Sequence, residues 1–219
     1  MMGALEAKNI SFGYDRKRKV LDDVSISVGA GERVALVGPS GCGKSTLCKV
    51  LAGHLEPWSG EVTLDGEALF GRDAGQGTGF EPWRGPGHGH RPCPVQLIYQ
   101  HPEKAVNPRR KLGKTLTEAY VPGEDVLRAL GIEPAWSNRY PAELSGGELQ
   151  RFCIARALAP GVEFIVADEI STMLDVVTQA QIWQALIRIC EVRHIGLVAV
   201  THSPELAARI STRVVELLA

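Results

Sequence analysis

The chain has 219 residues, a formal net charge of −1 and 44% hydrophobic residues. That length suits one domain or a core with a subdomain, and the apolar share is ample for a core. The near-neutral charge removes any global electrostatic case for binding nucleic acid or an anionic membrane, and no apolar run is long enough to span a bilayer. The opening residues, Met1-Met2-Gly3-Ala4-Leu5-Glu6, lack the basic-then-apolar pattern of a signal peptide.

Leu5 to Phe12 reads as a first strand and is followed by Gly13-Tyr14 and the basic turn Asp15-Arg16-Lys17-Arg18-Lys19. Val24 to Val28 alternates apolar and polar residues, the pattern of a half-buried strand. Next comes the stretch that organises the chain, VALVGPSGCGKSTLCKVLAG from Val34 to Gly53. The apolar run Val34–Val37 predicts a buried strand, and a helix resumes from about Lys44. Between them, Gly38, Pro39, Ser40, Gly41, Cys42, Gly43, Lys44 and Ser45 spell G-x-x-x-x-G-K-S, the phosphate-binding loop pattern. Backbone N–H groups must wrap polyphosphate closely, which removes Cβ atoms at the glycines, and the new helix points its positive end at the anion. Lys44 can reach outer phosphates and the Ser45 hydroxyl can ligate Mg²⁺. A glycine-rich turn followed by a chance Lys-Ser is the competing reading, and the flanking strand and helix argue against it.

Glu61–Leu64 reads as a further strand, closed by Asp65-Gly66. Gly71 to Pro94, dense in Gly and Pro, predicts a flexible loop; His88, His90 and Cys93 within it match no metal-ligand spacing. A buried strand at Val95–Tyr99 ends in Gln100. Residues 102–158 then read as a helical subdomain, with helices at Leu112–Tyr120, at Asp125–Leu130 stopped by Gly131, and from about Glu148 to Ala159. Phe164–Ala167 is a strand ending at Asp168-Glu169. Val176–Arg193 is a helix with Val176, Ile182, Leu186 and Ile189 on its apolar face. Ile195–Val200 is a buried strand ending at Thr201-His202, Pro204 opens a short helix, and Val214–Leu218 closes as a strand. The alternation implies an α/β chain with a largely parallel sheet covered on both faces. The five cysteines, Cys42, Cys48, Cys93, Cys153 and Cys190, are scattered and odd in number, which favours reduced thiols. Cys42, inside the phosphate loop, reads as a small residue at a variable position. As an expectation, it also makes the site sensitive to thiol alkylation, with ATP protecting.

Ligands in such sheets bind beyond the carboxyl ends of the strands. Asp168 at a strand end can hold Mg²⁺ with Ser45, and Glu169 beside it is a candidate general base for an attacking water. Gln100 and His202 end two further strands, so three strands deliver polar groups to one edge. In Leu144-Ser145-Gly146-Gly147-Glu148-Leu149-Gln150-Arg151, Ser145 can cap a helix while Gly146 and Gly147 leave N–H groups open to an anion. This second phosphate site is separated from Asp168 by a helix of ~12 residues, ~18 Å long, which argues against both facing one phosphate within a chain. A partner chain meeting head-to-tail resolves that conflict.

Taken together, these motifs identify the chain as similar to the ATP-binding cassette (ABC) transporter ATPase subunits, over nearly its whole length and in the family's order. The resemblance implies a P-loop NTPase core, an N-terminal antiparallel β-subdomain and an inserted helical subdomain, forming one domain across residues 1–219. It implies that Tyr14 stacks on adenine and that Gly38 to Thr46 form the Walker A loop. Gln100 becomes the Q-loop glutamine touching Mg²⁺ or water, Ser145, Gly146 and Gly147 the signature motif, and Asp168 the Walker B carboxylate. Glu169 is then the catalytic glutamate and His202 the switch histidine reading the γ-phosphate. ATP and Mg²⁺ are the implied ligands. The implied partners are a second cassette, like or unlike, transmembrane permease subunits and indirectly a substrate-binding protein, at the cytoplasmic face of a membrane.

Ala105-Val106-Asn107-Pro108-Arg109 with Gly113, and Asp175 to Gln181, resemble elements of oligopeptide, dipeptide and nickel importer cassettes. Departures from the family pattern are Ile170-Ser171-Thr172-Met173 where P-T/V-S-A is usual, His101 after Gln100, the glycine-rich 71–94, and the stop at Ala219. The last favours a nickel or metallophore importer over a peptide importer. A cassette acting as a nucleic-acid or ribosome-associated switch is the alternative, and the near-neutral charge argues against it. A P-loop kinase would leave Leu144–Gln150 and His202 without a role.

Overall fold

The computed structural model describes residues 3–15, 17–69, 92–118 and 120–218. Two sheets organise it. β1 (Ala4–Phe12), β2 (Leu21–Gly29), β4 (Ser59–Leu64) and the short β5 (Glu67–Ala68) form an antiparallel sheet in the order β2-β1-β4-β5. β3 (Arg33–Val37), β6 (Val95–Ile98), β7 (Phe164–Asp168), β8 (Gly196–Val200) and β9 (Arg213–Glu216) form a parallel sheet in the order β6-β7-β8-β3-β9. Every pairing in the second sheet is parallel. Its inner strands β7 and β8 are buried at every residue, which is why they are continuous apolar runs in the sequence. β6, expected to be fully buried, is an edge strand with Gln96 and Leu97 half-exposed.

Alternation along β7 divides the interior into two cores. Phe164 and Val166 face the antiparallel sheet and α1 (Lys44–Leu51), whose Leu47, Cys48, Val50 and Leu51 are buried there. Ile165 and Ala167 face the other side, where α4 (Gly146–Ala157), α5 (Val176–Arg193) and Ile210 of α6 (Pro204–Ile210) pack. A fully buried Phe or Leu side chain contributes about 1.5–3 kcal/mol of transfer free energy, so this two-sided burial fixes where the strand ends fall.

The segment 102–158 carries α2 (Leu112–Leu116), α3 (Glu124–Ala129) and α4, with three 3-10 turns at Pro102–Lys104, Pro134–Asn138 and Pro141–Glu143. Each turn has proline in its first positions, where its fixed φ fits and no N–H is missed. Two expectations need correction. α2 stops four residues short of Tyr120, and Val176 is 80% exposed rather than part of the apolar face of α5. The loop expected at 71–94 lies outside the described residues up to Arg91, including His88 and His90. Cys93 is described, and burial pushes its thiol up to about 11. None of the five cysteines forms a disulfide. Among the described residues no helix is long and apolar enough to cross a membrane.

Candidate functional site

β3 ends at Val37 and the phosphate loop begins at once. Gly38, Gly41 and Gly43 have φ of 151°, 81° and 102°, conformations that L side chains rarely adopt. A Cβ on Gly38 would lie 2.4 Å from the Leu217 carbonyl, whereas one on Gly41 would project into open space on the cleft side. Gly43 is the N-cap of α1 and supplies no side-chain hydrogen bond, so the first N–H groups of the helix are left to a ligand. The Lys44 ammonium donates to the carbonyls of Gly38 (2.9 Å) and Pro39 (2.8 Å), which holds the cation across the loop.

Around this loop lies a cleft of about 700 Å³, lined by Ser40 to Thr46 together with Tyr14, Arg18, Lys19, Glu169 and His202. Tyr14 is 65% exposed. Its ring is set edge-on by Phe12 (centroids 5.2 Å apart) and its hydroxyl meets Thr46 Oγ1 at 3.2 Å, so an aromatic face stands free at the cleft rim. Cys42 is only 5% exposed, with Sγ 3.8 Å from the Lys44 Nζ. The thiol is thus largely buried, although Cys42 is among the residues that line the cleft.

The three strand ends converge as the sequence implies. Ser45 Oγ donates to Asp168 Oδ1 at 3.0 Å. Burial, the largest influence, raises the Asp168 carboxyl above its ordinary range; the Ser45 bond pulls down and the Glu169 charge pushes up. Glu169 leaves the strand with a φ of 50°, a left-handed conformation that costs a non-glycine residue about 1–3 kcal/mol. Beyond that turn its carboxylate meets groups from two other strand ends. His202 Nε2 lies 2.6 Å from one carboxylate oxygen, and Gln100 Nε2 donates to the other at 3.1 Å. Thr172, noted in the sequence only as part of a departure from the family pattern, accepts from Gln100 (3.2 Å) and donates to the Glu169 carbonyl (3.0 Å). Its position three residues after Glu169 was the available signal, since a threonine there can close a turn.

Gln100 does not join the Ser45–Asp168 pair: among the described residues its amide nitrogen bonds Glu169 and Thr172. The Ser45 and Asp168 oxygens nonetheless suit Mg²⁺. They are two adjacent hard donors with a desolvated carboxylate, and Mg²⁺ takes one or two protein oxygens plus phosphates and water. Among the described residues no group of three or more His, Cys, Asp or Glu could hold a metal ion by itself.

Ser145, Gly146 and Gly147 stand elsewhere. They line a second cleft of about 510 Å³ with Arg151, Met173 and Leu174, and it shares no lining residue with the first. Ser145 caps α4, accepting from the Glu148 N–H (3.3 Å), while the Glu148 carboxylate accepts from the Ser145 N–H (2.7 Å). Ser145 is thus the helix cap that the sequence predicts, and Gly146 and Gly147 begin the first turn, two residues earlier than the expected start near Glu148. Gly146 is exposed and Gly147 is buried against α5.

Comparison with known proteins agrees with this geometry. The family model described as ABC transporter matches residues 21–172. The nickel import ATP-binding protein NikE of Brucella suis is 37% identical over 215 residues, 92% of this chain and 76% of that protein. The probable peptide ABC transporter ATP-binding protein y4tS of Sinorhizobium fredii is 36% identical over 208 residues, 90% of this chain; the chain spans only 56% of that relative's length. A solved dimeric structure of MJ0796, a bacterial ABC transporter cassette, superimposes with a TM-score of 0.75 at 25% identity, covering 97% of this chain and 94% of that one. The chain belongs to the ABC transporter family, as one of its ATP-binding cassettes.

Proposed function

We propose that this chain is the ATP-hydrolysing subunit of an importer for oligopeptides or for nickel or a metal chelate, acting as one cassette with residues 102–158 as its helical arm. The observation that carries the reading is the engagement of both Glu169 oxygens, by His202 and Gln100, at the mouth of the phosphate-loop cleft. In this reading Tyr14 stacks on adenine, the loop amides of Gly38 to Thr46 and Lys44 bind the phosphates, and Ser45 and Asp168 hold Mg²⁺. When bound, that ion neutralises charge on the phosphate oxygens. Glu169 accepts a proton from water, whose oxygen attacks the γ-phosphorus; the bond to the β–γ bridging oxygen breaks, leaving ADP and phosphate. Gln100 orients Glu169 and the water, and His202 holds the other side of the carboxylate.

The second face of the site comes from a partner cassette, with Ser145, Gly146 and Gly147 of each chain closing on the nucleotide held by the other. Transmembrane permeases, and through them a substrate-binding protein, complete the assembly at the cytoplasmic face of the membrane. The names of the relatives, peptide and nickel ATP-binding proteins, support the choice of cargo class and do not favour the nucleic-acid alternative. The test is Glu169→Gln. Turnover should fall by about 10²–10⁴ while ATP still binds and nucleotide-bound dimers accumulate. Undiminished turnover would overturn the assignment.

A further inference from the structure

Gln150 lies in α4, five residues beyond the cap Ser145, and its side chain is 1% exposed. Its Nε2 donates to the Tyr99 carbonyl at 3.3 Å, while its Oε1 is buried without a partner. An unpaired buried amide oxygen carries a desolvation cost that an apolar side chain of similar length would avoid. What the glutamine adds at this place is therefore the bond to Tyr99. The Tyr99 carbonyl and the Gln100 nitrogen belong to one planar peptide unit, so holding one atom fixes the other. Tyr99 is also held at its far end, where its hydroxyl meets His54 Nδ1 at 2.6 Å just beyond α1.

The geometry points to Gln150 as a positioning residue: it ties the signature helix to the peptide before Gln100 and so sets the Gln100 amide against Glu169 and Thr172. Ser145 and Gln150 are on one rigid helix, about 7–8 Å apart along its axis at 1.5 Å per residue. A displacement of α4 when Ser145 meets a partner's nucleotide is carried by the Gln150–Tyr99 bond to the carboxylate arrangement of this chain's own cleft. Gln150 touches no reacting atom; it acts through Gln100.

This inference rests on the ATPase reading above, and the experiment separates the two. Wild type, Gln150→Leu, Gln100→Ala and the double variant are compared in the assembled transporter. Gln150→Leu is expected to lower kcat about tenfold with KM for ATP held within about twofold, the signature of misplacement rather than lost binding. In the Gln100→Ala background it should add little further loss, because both substitutions break one linkage. In the nucleotide-free chain, amide exchange in residues 99–104 should quicken while the body of α4 keeps its protection. An unchanged kcat in Gln150→Leu, or losses that multiply fully in the double variant, overturns the proposal. If the leucine variant does not fold, Gln150→Met, unbranched and close in length, replaces it with the same expected outcomes. An inactive wild type overturns the ATPase reading instead, and the exchange measurement then decides whether Gln150 holds the segment.

Discussion

Asp168 and Glu169 are neighbours in sequence with opposite surroundings. Asp168 is the last residue of β7 and inherits the burial of that strand, whereas the left-handed turn at Glu169 lifts the next carboxylate to the cleft. Burial raises the Asp168 carboxyl, so the folded chain binds a proton there more readily than the unfolded chain does. Protonation thus favours the fold: the contribution is fully present below the unfolded value and is lost as pH rises through the raised folded one. At pH 7 the ionised, desolvated carboxylate opposes stability. Asp168→Asn is therefore expected to raise Tm by a few degrees at pH 7, while Mg²⁺-dependent hydrolysis is lost. The Tm gap from wild type should close as pH falls towards the ordinary carboxylate range. Calorimetry of both proteins from pH 7 downwards measures it. A lower Tm for the variant at pH 7 would mean that the Ser45 bond and the nearby lysines outweigh desolvation.

At the scale of elements, β3, β7 and β8 were legible because strands buried on both faces must be continuous apolar runs. The polar residues that follow them, Lys44, Ser45, Asp168, Glu169 and His202, were legible because each stands in a motif just beyond, or at the end of, a buried apolar run. Thr172 and Gln150 were not, since their importance lies in side-chain bonds across 72 and 51 residues of chain. The helices of 102–158 were legible in kind and not in length. α2 ends early where the Thr117 hydroxyl bonds back to the carbonyls of Gly113 (3.1 Å) and Lys114 (3.4 Å). Val176 opens α5 directly after its cap Asp175, before the helix has turned its apolar face inward at Ile182. Gly147 shows a packing demand that the motif concealed. A Cβ there would sit 2.7 Å from Thr178 Cγ2 and 3.5 Å from Leu174 Cδ2, where the first turns of α4 and α5 meet. The branched Thr178 side chain has only a few χ1 rotamers with which to move its methyl away. Alanine gains about 1 kcal/mol of helix propensity and loses about 1–3 to overpacking, so Gly147→Ala should cost a net of about 1 kcal/mol. Adding Thr178→Ser removes the offending methyl, keeps the hydroxyl and should recover most of the loss in urea unfolding. If the serine recovers nothing, the methyl contact is not what requires glycine.

At the scale of the whole molecule, the two clefts have no lining residue in common, and the proposed function reads them as complementary halves of a nucleotide site. The first is built on the phosphate-loop pattern, with Glu169 and His202 in its lining. The second has a capped helix N-terminus, an exposed Ser145 and Gly146, and Met173, 73% exposed. On that reading, nothing in the second cleft is needed for this chain to bind ATP in the first. Ser145→Asp separates the two roles cleanly. Aspartate is as good an N-cap as serine, so α4 should stay folded, but its charge would face the phosphates of a partner's nucleotide. The isolated chain should keep its ATP affinity within about twofold, because its own loop is untouched. In the assembled transporter, each composite site that borrows this serine should slow by about 10²-fold, the scale of removing one oxyanion donor. Turnover then collapses if both cassettes are copies of this chain and falls to about half if only one is, taking the two sites as independent. Equilibrium ATP binding on the isolated chain and steady-state hydrolysis by the assembly are the two measurements. Weakened ATP binding by the isolated Ser145→Asp chain would mean that the signature helix folds back onto its own phosphate loop, and the two-chain site would have to be abandoned.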